Sequence, residues 1–323
     1  MDILEQKVRT LVSDKDAIYR LLTFEKDRRG LSSKELVFVG TATVAMYHWC
    51  PTKSYMLSRI NELKYFTIYL QDRILYSYRL GYINEIPGKL EEKVLDIGNN
   101  ITLKDVEKIL KEKSVKLEEQ LKSNITSWTG EEGYKVTVIE RSLAIIHYGN
   151  IKLAYINPTL KYSVRKKFEL KAEELNALIV DFDSFPPKIR GIVLEAMIKE
   201  KYPTVRWNFE WNKYVIVAEP DGLTEDIVYE FKTTKNMRTY GEIFKAAEAQ
   251  ADIYGYFFRR KRKKIQTYIL SENKLLTINE NINKGHAEET LASFLKIDKC
   301  REFLKPEKWK CKICELRNKC PAV

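Results

Sequence analysis

The segment from Tyr214 to Lys235 reads YVIVAEPDGLTEDIVYEFKTTK, and three of its side chains suit hydrolysis of a phosphodiester. Two apolar runs flank the turn-rich DGLTED, which predicts a β-hairpin with Asp221 where the first strand ends. Glu230 and Lys232 lie two apart on the second strand and therefore share a face. Two carboxylates are hard oxygen ligands for Mg²⁺ or Mn²⁺ that leave positions open for water and phosphate oxygens. An adjacent ammonium can position the attacking water, help to deprotonate it, or offset charge developing on the phosphate. The same residues also fit a plainer description, a surface hairpin with an ordinary ion pair and a turn aspartate in Pro-Asp-Gly.

Three nearby features bear on that choice. Gln250 and Tyr254 are spaced i, i+4 on the following helix and share a face, and RRKRKK, residues 259–264, comes after it. Uncharged donors and a basic run beside an acidic site could hold the backbone of a strand being cut. A buried tyrosine with its hydrogen-bond partner and a solvated helix end are the plainer alternatives. Upstream, Gly191-Ile-Val-Leu-Glu195 begins the helix behind Pro186-Pro187, and Glu195 there either adds a third carboxylate or faces solvent.

Five cysteines in 323 residues do not make a secreted disulfide framework. Cys311, Cys314 and Cys320 stand as C-x₂-C-x₅-C, a spacing for metal thiolates that lacks a fourth ligand. Cys50 and Cys300 are the candidates. Zinc and an iron–sulfur cluster both accept four thiolates, and the spacing alone does not choose between them.

The elements that must position these groups follow from periodicity. The first 85 residues are expected to be helical, followed by a connection over residues 85–100 with Pro87-Gly88 and Gly98-Asn99-Asn100. Thr102, with Asp105 three residues on, predicts the cap of an amphipathic helix carrying Leu103, Val106, Ile109, Leu110, Leu117 and Leu121. From Tyr134 to Val164 the period shortens to that of strands, with Gly149-Asn150 as a hairpin turn. Helix is expected over 188–199, strands over 206–218 and 226–232, helix over 241–258, strand over 265–270 and helix over 288–303.

Lys and Arg number 56 against 45 Asp and Glu, a net charge of +11 that favours a polyanionic partner, nucleic acid first and a membrane surface second. The amino terminus lacks the apolar core of a secretory signal, and the longest uncharged stretch, Leu36 to Thr52, is too short and polar to span a bilayer. The expected location is cytoplasmic, with no membrane partner.

Taken together, Asp221, Glu230-Phe231-Lys232 and Gln250-x₃-Tyr254 resemble the motifs of the RecB-like branch of the PD-(D/E)xK nucleases. An early cysteine in Cys50-Pro-Thr-Lys-Ser-Tyr, followed far downstream by C-x₂-C-x₅-C, resembles the iron–sulfur exonucleases of that branch, the CRISPR-associated "Cas-four" type and the AddB-like repair nucleases. The match covers Cys50 to about Ile60 and Gly191 to Cys320. The resemblance implies an α/β restriction-endonuclease-like core, a mixed sheet flanked by helices, with a cluster-stapled helical part and an inserted α+β subdomain. It implies a structural [4Fe-4S] cluster on Cys50, Cys311, Cys314 and Cys320. It also implies Mg²⁺ or Mn²⁺ on Asp221, Glu230, the Phe231 backbone carbonyl and Glu195, with Lys232 handling the water nucleophile. Gln250 and Tyr254 would hold the DNA. This sequence departs from the family at Glu195, where a His is common; His48, His147 and His286 do not fit that slot.

The resulting expectation is a metal-dependent deoxyribonuclease, an exonuclease on single-stranded or frayed DNA in CRISPR adaptation or recombination and repair. CRISPR adaptation proteins and a homo-oligomer are the protein partners it admits. The alternative is a catalytically inactive DNA- or CRISPR-complex-binding subunit of the same fold; a zinc-bearing nucleic-acid binder leaves the acidic segment unexplained. The expected units are a helical segment 1–60 carrying the first cysteine, an inserted subdomain 61–187, a nuclease core 188–285 and a cysteine-bearing tail 286–323.

Overall fold

The computed structural model describes residues 3–29, 36–122, 125–129, 134–148, 151–157, 160–178, 185, 187–300 and 307–322. Helices α1 (Ile3–Leu11) and α2 (Lys15–Arg28) precede strand β1 (Val37–Gly40), and α3 (Thr41–Ala45), α4 (Pro51–Ile60) and α5 (Glu62–Arg79) follow it. The loop after α5 leads to α6 (Leu103–Lys122). Thr102 caps that helix as expected: Asp105 accepts from the Thr102 N–H at 3.0 Å and from its hydroxyl at 2.7 Å. Next come β2 (Ile125–Thr129), β3 (Tyr134–Ile139), β4 (Leu143–Tyr148) and β5 (Ile151–Ile156), then α7 (Lys161–Lys167), α8 (Ala172–Leu178) and α9 (Pro187–Ile198). The remaining elements are β6 (Trp207–Trp211), β7 (Tyr214–Ala218), β8 (Gly222–Leu223), β9 (Ile227–Thr234), α10 (Met237–Phe258), β10 (Arg262–Ile269), β11 (Lys274–Asn281), α11 (Lys284–Cys300) and α12 (Lys308–Lys312).

Among the described residues the strands form three sheets, β1-β7-β6, β11-β10-β9-β8 and the antiparallel meander β2-β3-β4-β5, so the fold is mixed α/β. The hairpin expected within Tyr214–Lys235 is built differently. β7 pairs in parallel with β1 and antiparallel with β6, whereas the strand beside β9 is the two-residue β8, with Gly222 opposite Tyr229. The fully buried first run is a central strand, and α10 is the crossover that joins β9 to its parallel neighbour β10.

Strand β1 interrupts the helical start that the sequence predicts. Four buried residues are too few to display a period, so the apolar run Val37-Phe38-Val39 carries no strand signature. Alternation nevertheless sorts its side chains. Phe38 and Val215 point into a core shared with α5, while Val37, Val39, Tyr214 and Ile216 pack under α10 and α11. Strand β11 was also unanticipated, since its mostly exposed residues leave no apolar face to read. The expected Gly149-Asn150 turn lies outside the described residues, but the strands it joins do pair, Tyr148 opposite Ile151.

The boundary expected near residue 61 is not where the packing divides. Phe66, Tyr69, Leu70, Val106 and Ile109 share one core with Phe38, Val205, Val215 and Ile265. Asp72 of α5 also takes both ends of the Arg206 guanidinium, at 2.7 Å each, just before β6. The meander instead has clusters of its own, Val136, Val138, Ala144 and Ile146 against α9 on one face and Leu143, Ala154 and Ile156 with Val164 on the other. Because α5 belongs to the main core, Phe66→Ala should cost about 3–5 kcal/mol in urea unfolding. Residues on both sides of position 61 should lose structure in one transition; a separate earlier step for α5 and α6 would contradict the shared core.

Candidate functional site

Asp221 follows Pro220 in the turn between β7 and β8, where its Oδ2 accepts the backbone N–H of Phe231 at 2.8 Å. That bond sets the turn aspartate against the middle of β9. Glu230 and Lys232 leave the same face of β9, as their two-residue spacing predicts, and form an ion pair through Glu230 Oε1. Glu230 is 1% exposed, and its second carboxylate oxygen, Oε2, is buried with no hydrogen-bond partner. Burial pushes this carboxyl up to about 7; the Lys232 ammonium opposes the push and the Asp221 charge adds to it. Burial also works against the Lys232 charge, but Glu230 and Asp221 outweigh it, so this ammonium titrates above its ordinary range.

The sequence reading missed Lys199, the side chain that completes the cluster. It lies four residues beyond Glu195, just past the end of α9, where its N–H donates to the Glu195 carbonyl at 3.1 Å and its ammonium pairs with Asp221 Oδ1. Glu195 stands at the rim of the cluster, where burial first and then the Asp221 charge push its carboxyl up against the opposing charges of Lys199, Lys232 and Lys201. The structure therefore brings Asp221, Glu230, Lys232 and Glu195 into one electrostatic neighbourhood. Among the described residues no three His, Cys, Asp or Glu side chains form a cage around a single ion.

Gln250 and Tyr254 face this cluster from α10, but at 7% and 2% exposure. Gln250 donates to the Tyr254 hydroxyl at 2.9 Å, and that hydroxyl donates to the carbonyl of Glu219 at 2.8 Å. The chain holds the turn two residues before Asp221, so the pair's surroundings are those of a positioning device, not of a DNA-facing surface. The basic run after α10 is only in part a solvated helix end. Arg259, Lys261 and Arg262 are exposed, whereas Arg260, just before β10, pairs with Glu107, and within β10 Arg262 pairs with Asp226, Lys264 with Glu200, and buried Lys263 with Asp252. Those counter-charges come from distant parts of the chain, which local charge counting could not reveal.

The cysteines meet elsewhere. Cys50, buried at the N-cap of α4, lines one pocket with Cys311, Cys314 and Cys320, and Trp49, Lys53 and Lys310 border it. The Lys53 N–H points at Cys50 Sγ at 3.5 Å. Burial pushes this thiol up, and the nearby sulfurs of Cys314 and Cys320 push the same way. Two ion pairs clamp the tail in place, Lys53 to Glu315 at 2.9 Å and Lys310 to Glu242 at 2.5 Å. Cys300, the other candidate ligand, ends α11, and its side chain lies outside the described set.

No protein-family model matches this chain, and no curated protein does. A crystal structure of a protein named SSO0001 is similar over 50% of this chain and 81% of that one, at 19% identity and a TM-score of 0.31. That overlap is too loose to assign a fold. No helix among the described residues is long and apolar enough to cross a membrane.

The raised carboxyl of Glu230 has a pH signature. An unfolded glutamate ionises near its ordinary 4.5, whereas the folded one holds its proton to about 7. The folded state therefore binds more protons across that window, and this group's contribution to stability falls as pH rises through it. Without added metal, Glu230→Gln should stabilise the protein at pH 8 by up to roughly 3 kcal/mol. The gain should vanish below about pH 4.5, and equal unfolding free energies for the two proteins at every pH would refute the shift.

Proposed function

We propose that the chain is a metal-dependent nuclease acting on single-stranded or frayed DNA, built on a RecB-like PD-(D/E)xK core with a structural [4Fe-4S] cluster. The observation that carries this reading is the orphaned Glu230 oxygen in a cluster that also holds Asp221 and Lys232. A buried carboxylate oxygen without a donor is costly unless a cation takes it. Mg²⁺ commonly binds through one or two carboxylates, with water and phosphate oxygens completing its shell, so a preformed protein cage is not required.

In this reading Asp221 and Glu230 hold Mg²⁺ or Mn²⁺, with Glu195 and the Phe231 carbonyl completing the protein's share. The ion supplies Lewis acidity at the phosphate and a more acidic bound water. Lys232, kept protonated by its neighbours, orients the attacking water and offsets charge on the phosphate, in place of acting as a base. Gln250 and Tyr254 position Asp221 through the Glu219 carbonyl.

Cys50, Cys311, Cys314 and Cys320 line one pocket, which supplies the four thiolates that a [4Fe-4S] cluster takes, one at each iron. A catalytically inactive DNA-binding subunit is the competing reading, supported by Glu195 standing where the family often has His.

Anaerobically purified protein should be brown and carry about four irons per chain, whereas colourless protein with zinc would refute the cluster. With Mn²⁺ or Mg²⁺ it should degrade end-labelled single-stranded DNA. Glu230→Ala should lower that rate by about 100-fold or more, the scale of losing one contact to developing charge. A wild type that binds the DNA without cutting it would establish the inactive-subunit reading.

A further inference from the structure

Strand β11 ends its sheet, and it pairs with β10 along all eight of its residues, Lys274 to Asn281, without a bulge or a proline. It is the longest sheet edge among the described residues; β8, at the other end of the same sheet, has two residues. Edge strands are ordinarily shortened, kinked, covered or charged along their length, because their free backbone N–H and C=O groups can pair with another strand. β11 uses none of the first three devices. Its residues are mostly exposed, and its charges stand only near its ends, at Lys274 and Glu280.

Alternation puts Lys274, Leu276, Ile278 and Glu280 on one face. The acidic cluster is on that same face, since Ile278 is in register with Ile265 and Glu230, and Leu276 with Thr267 and Lys232. Lys274 makes no ion pair among the described residues, and Glu280 touches Lys263 at 3.7 Å, a lysine already held by Asp252.

A second copy of the strand offers the complement. When two identical strands pair antiparallel about a two-fold axis through one residue, positions equally far on either side of it meet. With Thr277 on the axis, Lys274 meets Glu280, Leu275 meets Asn279 and Leu276 meets Ile278. Opposite charges then close both ends, with the apolar pairs between them on the same face. With Leu276 on the axis, Lys274 would meet Ile278 and Glu280 would meet Glu272; with Ile278 there, Glu280 would meet Leu276. Of the three registers, the first alone matches charge to charge and apolar to apolar.

We propose that β11 is a homodimer interface: two copies join edge to edge about an axis through Thr277 and merge their four-stranded sheets into one. The two acidic clusters then lie on one face of that sheet, five strand spacings or ~24 Å apart, and turned against each other by its twist. One strand pair is a small contact, so the dissociation constant should be of micromolar order, about 1–100 μM.

Pairing at this edge needs neither DNA nor metal, so it is measured apart from any nuclease activity, by sedimentation velocity of the full chain over a concentration series. Wild type should pass from monomer to dimer as concentration rises. Lys274→Glu should weaken self-association about tenfold or more, because acid then faces acid at both ends, and Glu280→Lys should do the same with base. An equimolar mixture of the two variants should dimerise as tightly as wild type, since each supplies the charge the other lacks. Lys274→Glu breaks no ion pair within the described residues, so its melting should match that of wild type, which separates lost association from lost structure. A wild type that stays monomeric up to ~100 μM would exclude a second copy and leave the edge to a strand of another protein. Dimers unchanged in both single variants would place the interface elsewhere, and a mixture no tighter than its components would overturn the register about Thr277.

Discussion

A carboxylate removed from water must be neutralised, and in this protein the burden falls on Glu230. Its strand is covered by α9 and α10, its first oxygen leans on Lys232, and its second has no protein partner. Much of the surrounding architecture serves that unfavourable placement. The Phe231 N–H fixes Asp221 beside it, the Gln250–Tyr254 chain holds the preceding turn, and Lys199 offsets the second carboxylate. Opposed charges that do not quite balance make a site that gains from an added cation.

The two-sidedness of α9 explains how that site is kept in register with the rest of the molecule. A helix apolar on one face can lean on only one layer, whereas this one is wedged between the meander and β9. Its apolar residues leave room for a polar strip that carries Glu195, and Lys199 follows just past its last turn. Displacing the meander would therefore be felt at the acidic cluster through packing.

Sequence made the acidic strand legible because period two and turn chemistry are local. Glu230 and Lys232 share a face wherever β9 goes, and Asp221 sits in a turn whatever the turn joins. The neighbouring strand was misread because strand pairing is non-local: β7 found its partners in β1 and β6. The role of Gln250 and Tyr254 was legible only as a shared helix face, since the direction of that face depends on how α10 crosses the sheet. Lys199 was invisible for the same reason. The ion pairs made within residues 259–264 were hidden because their partners, among them Glu107, Glu200 and Asp252, lie far away in sequence. The cysteine spacing was informative, yet only folding could bring Cys50 to the other three.

That last meeting bears on the order of assembly. The pocket takes one sulfur from residue 50 and three from residues made roughly 260 positions later, a separation at which loop closure is entropically demanding. During synthesis the helices, both larger sheets and the acidic cluster can all form before the last three cysteines leave the ribosome. Until the tail arrives, Cys50 and Trp49 lack the residues that complete their pocket. Any factor that fills or guards the pocket would meet a protein already folded around its other site.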